Sequence, residues 1–151
     1  MKLISIGEIF RELAKEKGYT VEEFGTVAEQ NKDIDIELDK RMIEKAKPGR
    51  IIEGRLAGHL LNRSSKEAFK VWIEADKDIR LERIADREDM SLKKTRIFVD
   101  KREKSERKRY MDYYEIDLLD KSVYDIVIDS GQNKPDEIVS KIIKGARDGP
   151  Y

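Results

Sequence analysis

The 151-residue sequence contains no cysteine and a single histidine, His59. The lack of cysteine excludes disulfides, thiolate metal sites and cysteine nucleophiles, and one histidine cannot build a histidine-rich metal centre. The sequence also lacks a signal peptide and any apolar run long enough to span a bilayer. We therefore expect a cytoplasmic protein with no membrane partner, and we identify no protein ligand for a metal ion.

An excess of one charge sign is missing as well. Lys and Arg number 32, Asp and Glu number 32, and these charged residues make up 42% of the chain. Proteins built around nucleic acid or an anionic membrane carry a strong basic excess, so this balance argues against both as partners. A local basic site remains compatible with it.

Short apolar runs alternate along the chain with charged stretches whose apolar residues recur at helical spacing. The predicted strands are 3–6, 50–54, 69–75 and 124–130. The predicted helices are 8–17, 21–29, 36–46, 78–87 and 136–146. This alternation predicts an α/β fold with a parallel sheet, and continuous apolar runs predict helices on both faces of it, giving three layers. Because no linker or repeat interrupts the pattern, we expect one domain over residues 1–151.

A glycine followed by an arginine comes after two of the predicted strands. Gly7 and Arg11 follow the first strand, and Gly54 and Arg55 follow the second. Ligands of parallel α/β sheets bind at the carboxyl ends of the strands, and arginine suits forked recognition of phosphate oxygens. The alternative interpretation is that both arginines are ordinary surface charges in a highly charged chain.

A third group of arginines lies on a long charged helical stretch. At helical spacing, Arg102, Glu106 and Arg109 share one face, and Arg83 and Arg87 are neighbours on the preceding helix. Four arginines on two neighbouring segments could close over a polyphosphate. Two other interpretations stay open: a solvated helix with many ion pairs, or an RNA-binding stripe over 93–109 with nearby tyrosines as stacking platforms.

Together, these segments resemble the archaeal-type cytidylate kinases, within the nucleoside monophosphate kinase group of P-loop folds. The resemblance covers nearly the whole chain, in the order of the family. It is carried by the stretches LISIGEIFRELAKEKG, DIDIELDKR, IIEGRLAGHLL, FKVWIEADKDIRLERIADRE, KREKSERKRYMDYYEID and YDIVIDS. The resemblance implies phosphoryl transfer from ATP, with its Mg²⁺, to CMP or dCMP.

The resemblance also implies an acceptor site in the first third of the chain. Arg11 and Arg55 are expected to bind the acceptor's phosphate, and Gly7 and Gly54 to let the backbone approach it. Residues 18–46 are expected to form the helices that bind the monophosphate. Within these helices, the residues expected to bind substrate are Asp35, Asp39 and Arg41.

In the second half, the resemblance implies a mobile lid over residues 87–110. Arg87 stands at its start, and Arg102 and Arg109 are expected to meet the transferring phosphoryl group. Glu106 matches an acidic residue that lies near cytosine in related bacterial enzymes.

One departure from the family pattern concerns the donor site. The family begins with a strand and the loop G-x-x-x-x-G-K-[ST], whose backbone and lysine hold the donor's phosphates, and this sequence contains neither. We expect the sequence to start inside a longer protein, either because the start of translation was misassigned or because the first segment was left out deliberately. The alternative is a protein that naturally lacks this loop. Such a protein would either complete its fold by forming a dimer or only bind nucleotides. An RNA-binding protein is a weaker alternative.

Overall fold

A computed structural model describes residues 2–149 of the chain, apart from the side chain of Glu22. The strands in this range are β1 (Lys2–Ser5), β2 (Arg50–Glu53), β3 (Val71–Glu74) and β4 (Ile126–Asp129). The helices are α1 (Ile6–Glu16), α2 (Val21–Gln30), α3 (Lys32–Lys45), α4 (Ala57–Arg63), α5 (Lys77–Glu88), α6 (Leu92–Tyr114) and α7 (Pro135–Asp148). None of these helices combines the length and apolar character needed to cross a membrane.

The described residues form two compact units, one up to Ala68 and one from Phe69 onward. In the first unit, β1 and β2 pair in parallel, with Ser5 opposite Glu53. In the second unit, β3 and β4 pair in parallel, with Glu74 opposite Asp129. Both strand pairs confirm the α/β class and the parallel pairing that the alternating pattern predicted. The single domain remains a prediction.

Helices α1, α2 and α3 form the core of the first unit. Ile9 and Leu13 lie one turn apart on α1 and are almost fully buried, as is Phe24 of α2. The Phe24 ring packs against Phe10, with the ring centroids 4.9 Å apart. Burial of side chains of this size contributes about 1.5–3 kcal/mol each, so apolar spacing on these helices fixes how they pack.

Polar caps set the starts of α2 and α3. The Thr20 hydroxyl accepts a hydrogen bond from the Glu23 amide, and the Glu23 carboxylate accepts one from the Thr20 amide, which completes a capping box. For α3, Asn31 Oδ1 accepts from the Asp33 amide at 3.0 Å. The helix therefore begins at Lys32, four residues before the start predicted from apolar spacing at Ile36.

In the second unit, α5 packs against α6 and a polar cluster closes one end of β3. Glu74 accepts hydrogen bonds from Trp72 Nε1 and from Lys121 Nζ, and these two donors, Lys121 first, lower the pKa of the Glu74 carboxyl. The Trp72 ring packs against Tyr124, with centroids 5.1 Å apart. Despite this contact, Trp72 is only partly buried.

The strand pair of the first unit carries one uncovered apolar face in the described residues. Leu3 and Ile51 are register partners, and they are 54% and 48% exposed. The opposite face carries Ile4, which is buried. The structure thus covers one face of this pair, and the three-layer arrangement remains a prediction.

Candidate functional site

The carboxyl ends of β1 and β2 bring two polar side chains together. Ser5 and Glu53 are the last register partners of the two strands, and the Ser5 hydroxyl donates a hydrogen bond to Glu53 Oε2 at 2.7 Å. The sequence interpretation missed both residues. The available signal was position, since Glu53 ends a predicted strand directly before Gly54 and Arg55. The two side chains therefore line one side of a polar site at the carboxyl ends of β1 and β2.

Gly7 and Arg11 lie next to this pair because α1 begins directly after β1. A Cβ atom placed on Gly7 would lie 3.5 Å from Ser5 Oγ and 3.7 Å from Arg11 Nη1. The hydroxyl and the guanidinium therefore border one small space above the first turn of the helix. Backbone N–H groups of a first helical turn have no partner within the helix, so this space suits an anion.

Gly54 has a packing reason for being glycine. A Cβ atom there would lie 2.2 Å from Ile6 Cδ1 and 2.7 Å from Ile6 Cγ1, so the Ile6 side chain would have to move to admit it. The sequence interpretation explained this glycine by approach of the backbone to a ligand, which remains a prediction, and the contact with Ile6 adds a packing reason. Because Ile6 directly precedes Gly7, the contact places Gly54 beside the start of α1. Arg55, the next residue, is exposed.

Asp35, Asp39 and Arg41 all lie on α3. The two aspartates are half-buried. The Arg41 guanidinium is bound by two carboxylates: Nη1 and Nη2 donate to the two oxygens of Glu16 at 3.0 and 2.8 Å, and Nη2 donates to Glu37 Oε1 at 2.7 Å. These hydrogen bonds raise the pKa of Arg41, that to Glu16 most, and the same bond lowers the pKa of Glu16.

The predicted lid residues lie on α5 and α6 of the second unit. Arg102 Nε donates to Glu106 Oε1 at 2.9 Å, and Glu106 is 6% exposed while the Arg102 side chain is 52% exposed. Arg109 lies two turns beyond Arg102 on the same face. A buried carboxylate requires a charged or hydrogen-bonding partner, so Glu106 orients Arg102. Of the predicted lid residues, the structure thus places Arg102 and Glu106 in direct contact.

Arg87 and Arg83 differ in their contacts within the same unit. Arg87 lies in the last turn of α5 and is exposed, with Nε donating to Glu88 Oε1 at 2.8 Å. Arg83 donates from Nη1 to Ser130 Oγ at 2.9 Å and from Nη2 to the Ser130 carbonyl at 2.8 Å. Arg83 is therefore engaged with the end of β4, and the sequence pattern gave no indication of this.

The acceptor-side residues belong to the first unit and the lid residues to the second, and each group is described within its own unit. Across residues 2–149, no three His, Cys, Asp or Glu side chains form a group that could hold a metal ion. The first unit offers a polar space bordered by a hydroxyl, a guanidinium and helix-start amides. The second offers arginines on α5 and α6, one of which, Arg102, donates a hydrogen bond to the buried Glu106 carboxylate.

Comparison with known proteins gives consistent similarities. Residues 1–132 match the model of the cytidylate kinase-like family. The chain is 41% identical to a protein named cytidylate kinase from Methanopyrus kandleri, over 98% of the chain and 80% of the relative. It is 46% identical to a protein of the same name from Methanococcoides burtonii, over 86% of the chain and 73% of the relative.

A solved structure is also similar. The crystal structure of an uncharacterized protein from Eubacterium ventriosum matches with a TM-score of 0.68 at 26% identity. The match covers 95% of the chain and 82% of the solved one. The arrangement of strands and helices in this chain is therefore one that a crystal structure contains.

Proposed function

The chain belongs to the cytidylate kinase-like family, and on that basis we propose that it transfers a phosphoryl group from ATP to CMP or dCMP. The observation that carries the proposal is 41% identity, over 98% of the chain, to a protein named cytidylate kinase. The reaction needs little covalent help from a protein. It needs alignment of two phosphates and cancellation of their charge, which suits a chain with several arginines at strand ends and on a helix.

On the acceptor side, Arg11 and Arg55 hold the phosphate of CMP. The supporting geometry is the small space at Gly7, bordered by Ser5 Oγ and Arg11 Nη1, with Gly54 packed beside it. Guanidinium groups match phosphate oxygens in pairs and stay charged at any working pH. The amides of the first turn of α1 add donors to the same oxygens.

The helices of residues 18–46 bind the nucleoside part of the acceptor. Asp35 and Asp39 are carboxylates on α3 and are accessible in part. Carboxylates accept hydrogen bonds from amino and hydroxyl groups, and CMP carries both. These residues therefore supply selectivity for cytosine or ribose in this proposal.

Residues 87–110 form the lid, whose arginines act on the transferring group. Arg87, Arg102 and Arg109 neutralise the charge on its oxygens, and an arginine in such a position is worth roughly 10³–10⁵ in rate. Glu106 faces cytosine, and its hydrogen bond with Arg102 keeps both groups oriented. Closure over the phosphates excludes water, which would otherwise accept the phosphoryl group.

Mg²⁺ enters this reaction with ATP and supplies neutralisation of phosphate charge. It is a hard cation that takes oxygen ligands, commonly one or two carboxylates together with phosphates and water. Glu53 and Ser5 present oxygens of that kind at the ends of β1 and β2, so these residues fit the ion. Since the printed sequence has no G-x-x-x-x-G-K-[ST] motif, we assign only the lid arginines to the donor's phosphates.

The proposal extends to the architecture around the site. One domain contains the four strands in a single parallel sheet covered by helices on both faces, as nucleotide kinases of this type require. The protein acts in the cytoplasm, where its substrates are. If no further strand of the protein completes the sheet, a second copy of this chain completes it by forming a dimer.

The test measures ADP release from ATP and Mg²⁺ with CMP, dCMP, UMP or AMP as acceptor. Two forms are assayed: the 151-residue chain, and the same chain joined at its N-terminus to the first strand and P-loop of a relative, which we call the joined form. We expect turnover with CMP and dCMP in the joined form. No preference for CMP over UMP and AMP in that form would contradict the proposal. Saturable binding of CMP without turnover in either form would instead favour a nucleotide-binding protein without catalysis.

A further inference from the structure

Arg41 is fixed between two helices of the first unit. We name the group of Arg41, Glu16 and Glu37 the Arg41 clamp. Glu16 lies at the end of α1 and accepts hydrogen bonds from both Nη1 and Nη2 of Arg41, while Glu37 lies one turn before Arg41 on α3. The clamp thus joins α3 to α1 through a two-point contact, which fixes orientation as well as distance.

Two further ion pairs define how α3 lies along α1. Lys17 Nζ lies 3.4 Å from Glu37 Oε2, and Lys45 Nζ lies 3.1 Å from Glu12 Oε2. As residue numbers rise from 12 to 17 on α1, the partner numbers fall from 45 to 37 on α3. The two helices therefore run antiparallel, and the clamp lies in the middle of their contact.

The clamp is the tightest of these α1–α3 connections. The Arg41 side chain is 28% exposed, against 40% for Lys45 and 41% for Lys17. The two lysines make single contacts, and single exposed ion pairs contribute little. Arg41 instead satisfies three carboxylate oxygens, and the raised pKa of Arg41 together with the lowered pKa of Glu16 agrees with that geometry.

The position of the clamp matters for the proposed acceptor site. Arg11 lies five residues before Glu16 on α1, roughly 7 Å along the helix axis. Asp39 and Asp35 lie roughly 3 and 9 Å from Arg41 along α3, on the side away from Arg11. The clamp is therefore the connection between the phosphate end of α1 and the carboxylates of α3.

We propose that Arg41 is a positioning residue for the acceptor, which fixes the spacing between the phosphate site on α1 and Asp35 and Asp39 on α3, and that it does not touch the nucleotide. This inference rests on the proposed function. It replaces the direct substrate contact that the sequence suggested for Arg41, because Nη1 and Nη2 of the guanidinium already donate to carboxylates.

The experiment compares removal of Arg41 with removal of its partners. Arg41→Ala deletes the guanidinium, whereas the double variant Glu16→Gln/Glu37→Gln leaves it in place without its carboxylates. The matched control is Lys45→Ala, which breaks the neighbouring single contact between the same helices. Calorimetry on the chain measures the Kd of CMP, circular dichroism checks folding, and the form that turns over supplies the KM values for CMP and ATP.

We expect Arg41→Ala and the double glutamine variant to raise the Kd and KM of CMP alike, about 3- to 10-fold, as loss of an ion-pair network of this size predicts. The KM of ATP should stay unchanged, and Arg41→Lys, which retains the charge without the fork, should fall between parent and Arg41→Ala. Lys45→Ala should change the Kd of CMP by less than about 2-fold.

Two results would overturn the inference. In the first, Arg41→Ala loses CMP binding while the double glutamine variant binds like the parent, which would make Arg41 a direct contact. In the second, both variants bind CMP like the parent, which would show that the clamp positions nothing. If neither the parent chain nor the joined form binds CMP, the proposed function fails and this inference with it, a result distinct from the other two.

Discussion

Ser5 and Glu53 face each other at the last register position of β1 and β2, joined by a 2.7 Å hydrogen bond from the hydroxyl to the carboxylate. The bond holds the Glu53 carboxylate at the edge where Gly7 and Arg11 also lie. The orientation of this carboxylate matters for the proposed function, since a carboxylate turned towards Arg11 would neutralise the guanidinium that we propose binds phosphate.

This relationship predicts the effect of Ser5→Ala. Loss of the hydroxyl removes a hydrogen bond worth about 0.5–1.5 kcal/mol, so we expect turnover with CMP to fall about 3- to 10-fold. The control is Thr20→Ala, which removes a capping hydroxyl of α2. That variant should lose stability without losing turnover per folded molecule. Equal turnover of Ser5→Ala and parent would remove this bond from the site.

The two site glycines should respond differently to alanine. Gly54→Ala places a Cβ 2.2 Å from Ile6 Cδ1, and overpacking of this kind costs about 1–3 kcal/mol of unfolding free energy. Gly7→Ala meets only contacts of 3.5 Å and longer and should keep stability while weakening CMP binding. Urea denaturation and calorimetry measure the two effects. Ile6→Val should partly rescue Gly54→Ala, and absence of rescue would contradict the packing explanation.

Arg55→Ala tests the acceptor phosphate site directly. A hydrogen bond to a charged group contributes about 1.5–3 kcal/mol, so its loss should raise the Kd of CMP about 10- to 100-fold. Arg50→Ala is the matched control, because Arg50 lies at the opposite end of β2. Binding of CMP by Arg50→Ala should match the parent. Parental kinetics in Arg55→Ala would exclude Arg55 from the site.

The raised pKa of Tyr124 predicts that the protein loses stability at alkaline pH. Burial against Trp72 raises the pKa of Tyr124 from 10.0 to about 12. The folded chain therefore keeps this proton to higher pH than the unfolded chain, and stability present below pH 10 is lost as the pH rises towards 12. Urea denaturation at pH 8 and pH 11 should show a larger loss for the parent than for Tyr124→Phe. Equal losses would contradict the assignment.

The sequence predicted the elements well because apolar spacing reports burial. All four predicted strands are present, and the family resemblance read from the residues is confirmed by the match over residues 1–132. Several boundaries differ by one to four residues, and two of these differences have clear local reasons. Ile6, assigned to the first strand, begins α1, and α3 begins at Lys32 because Asn31 caps it.

The site was predictable only in part, since side-chain contacts between distant segments leave no pattern in the sequence. Gly7 and Arg11 were predicted from their position after a strand, and the structure places them beside Ser5. The bond between Ser5 and Glu53 spans 48 residues, and the Arg41–Glu16 contact spans 25. Neither separation follows from helical or strand spacing, so the contact of Arg41 with Glu16 and that of Gly54 with Ile6 required the folded chain.

The direct junction of β1 and α1 lowers the entropic cost of binding an anion at Gly7. Ser5 ends the strand and Ile6 begins the helix, with no loop residue between them. An anion that binds at Gly7 therefore orders no backbone, and the chain loses no backbone conformational entropy there, at about 1–2 kcal/mol for each residue that would otherwise need fixing. At this part of the proposed acceptor site, affinity should therefore depend on the fit of the phosphate and not on the ordering of a loop between β1 and α1.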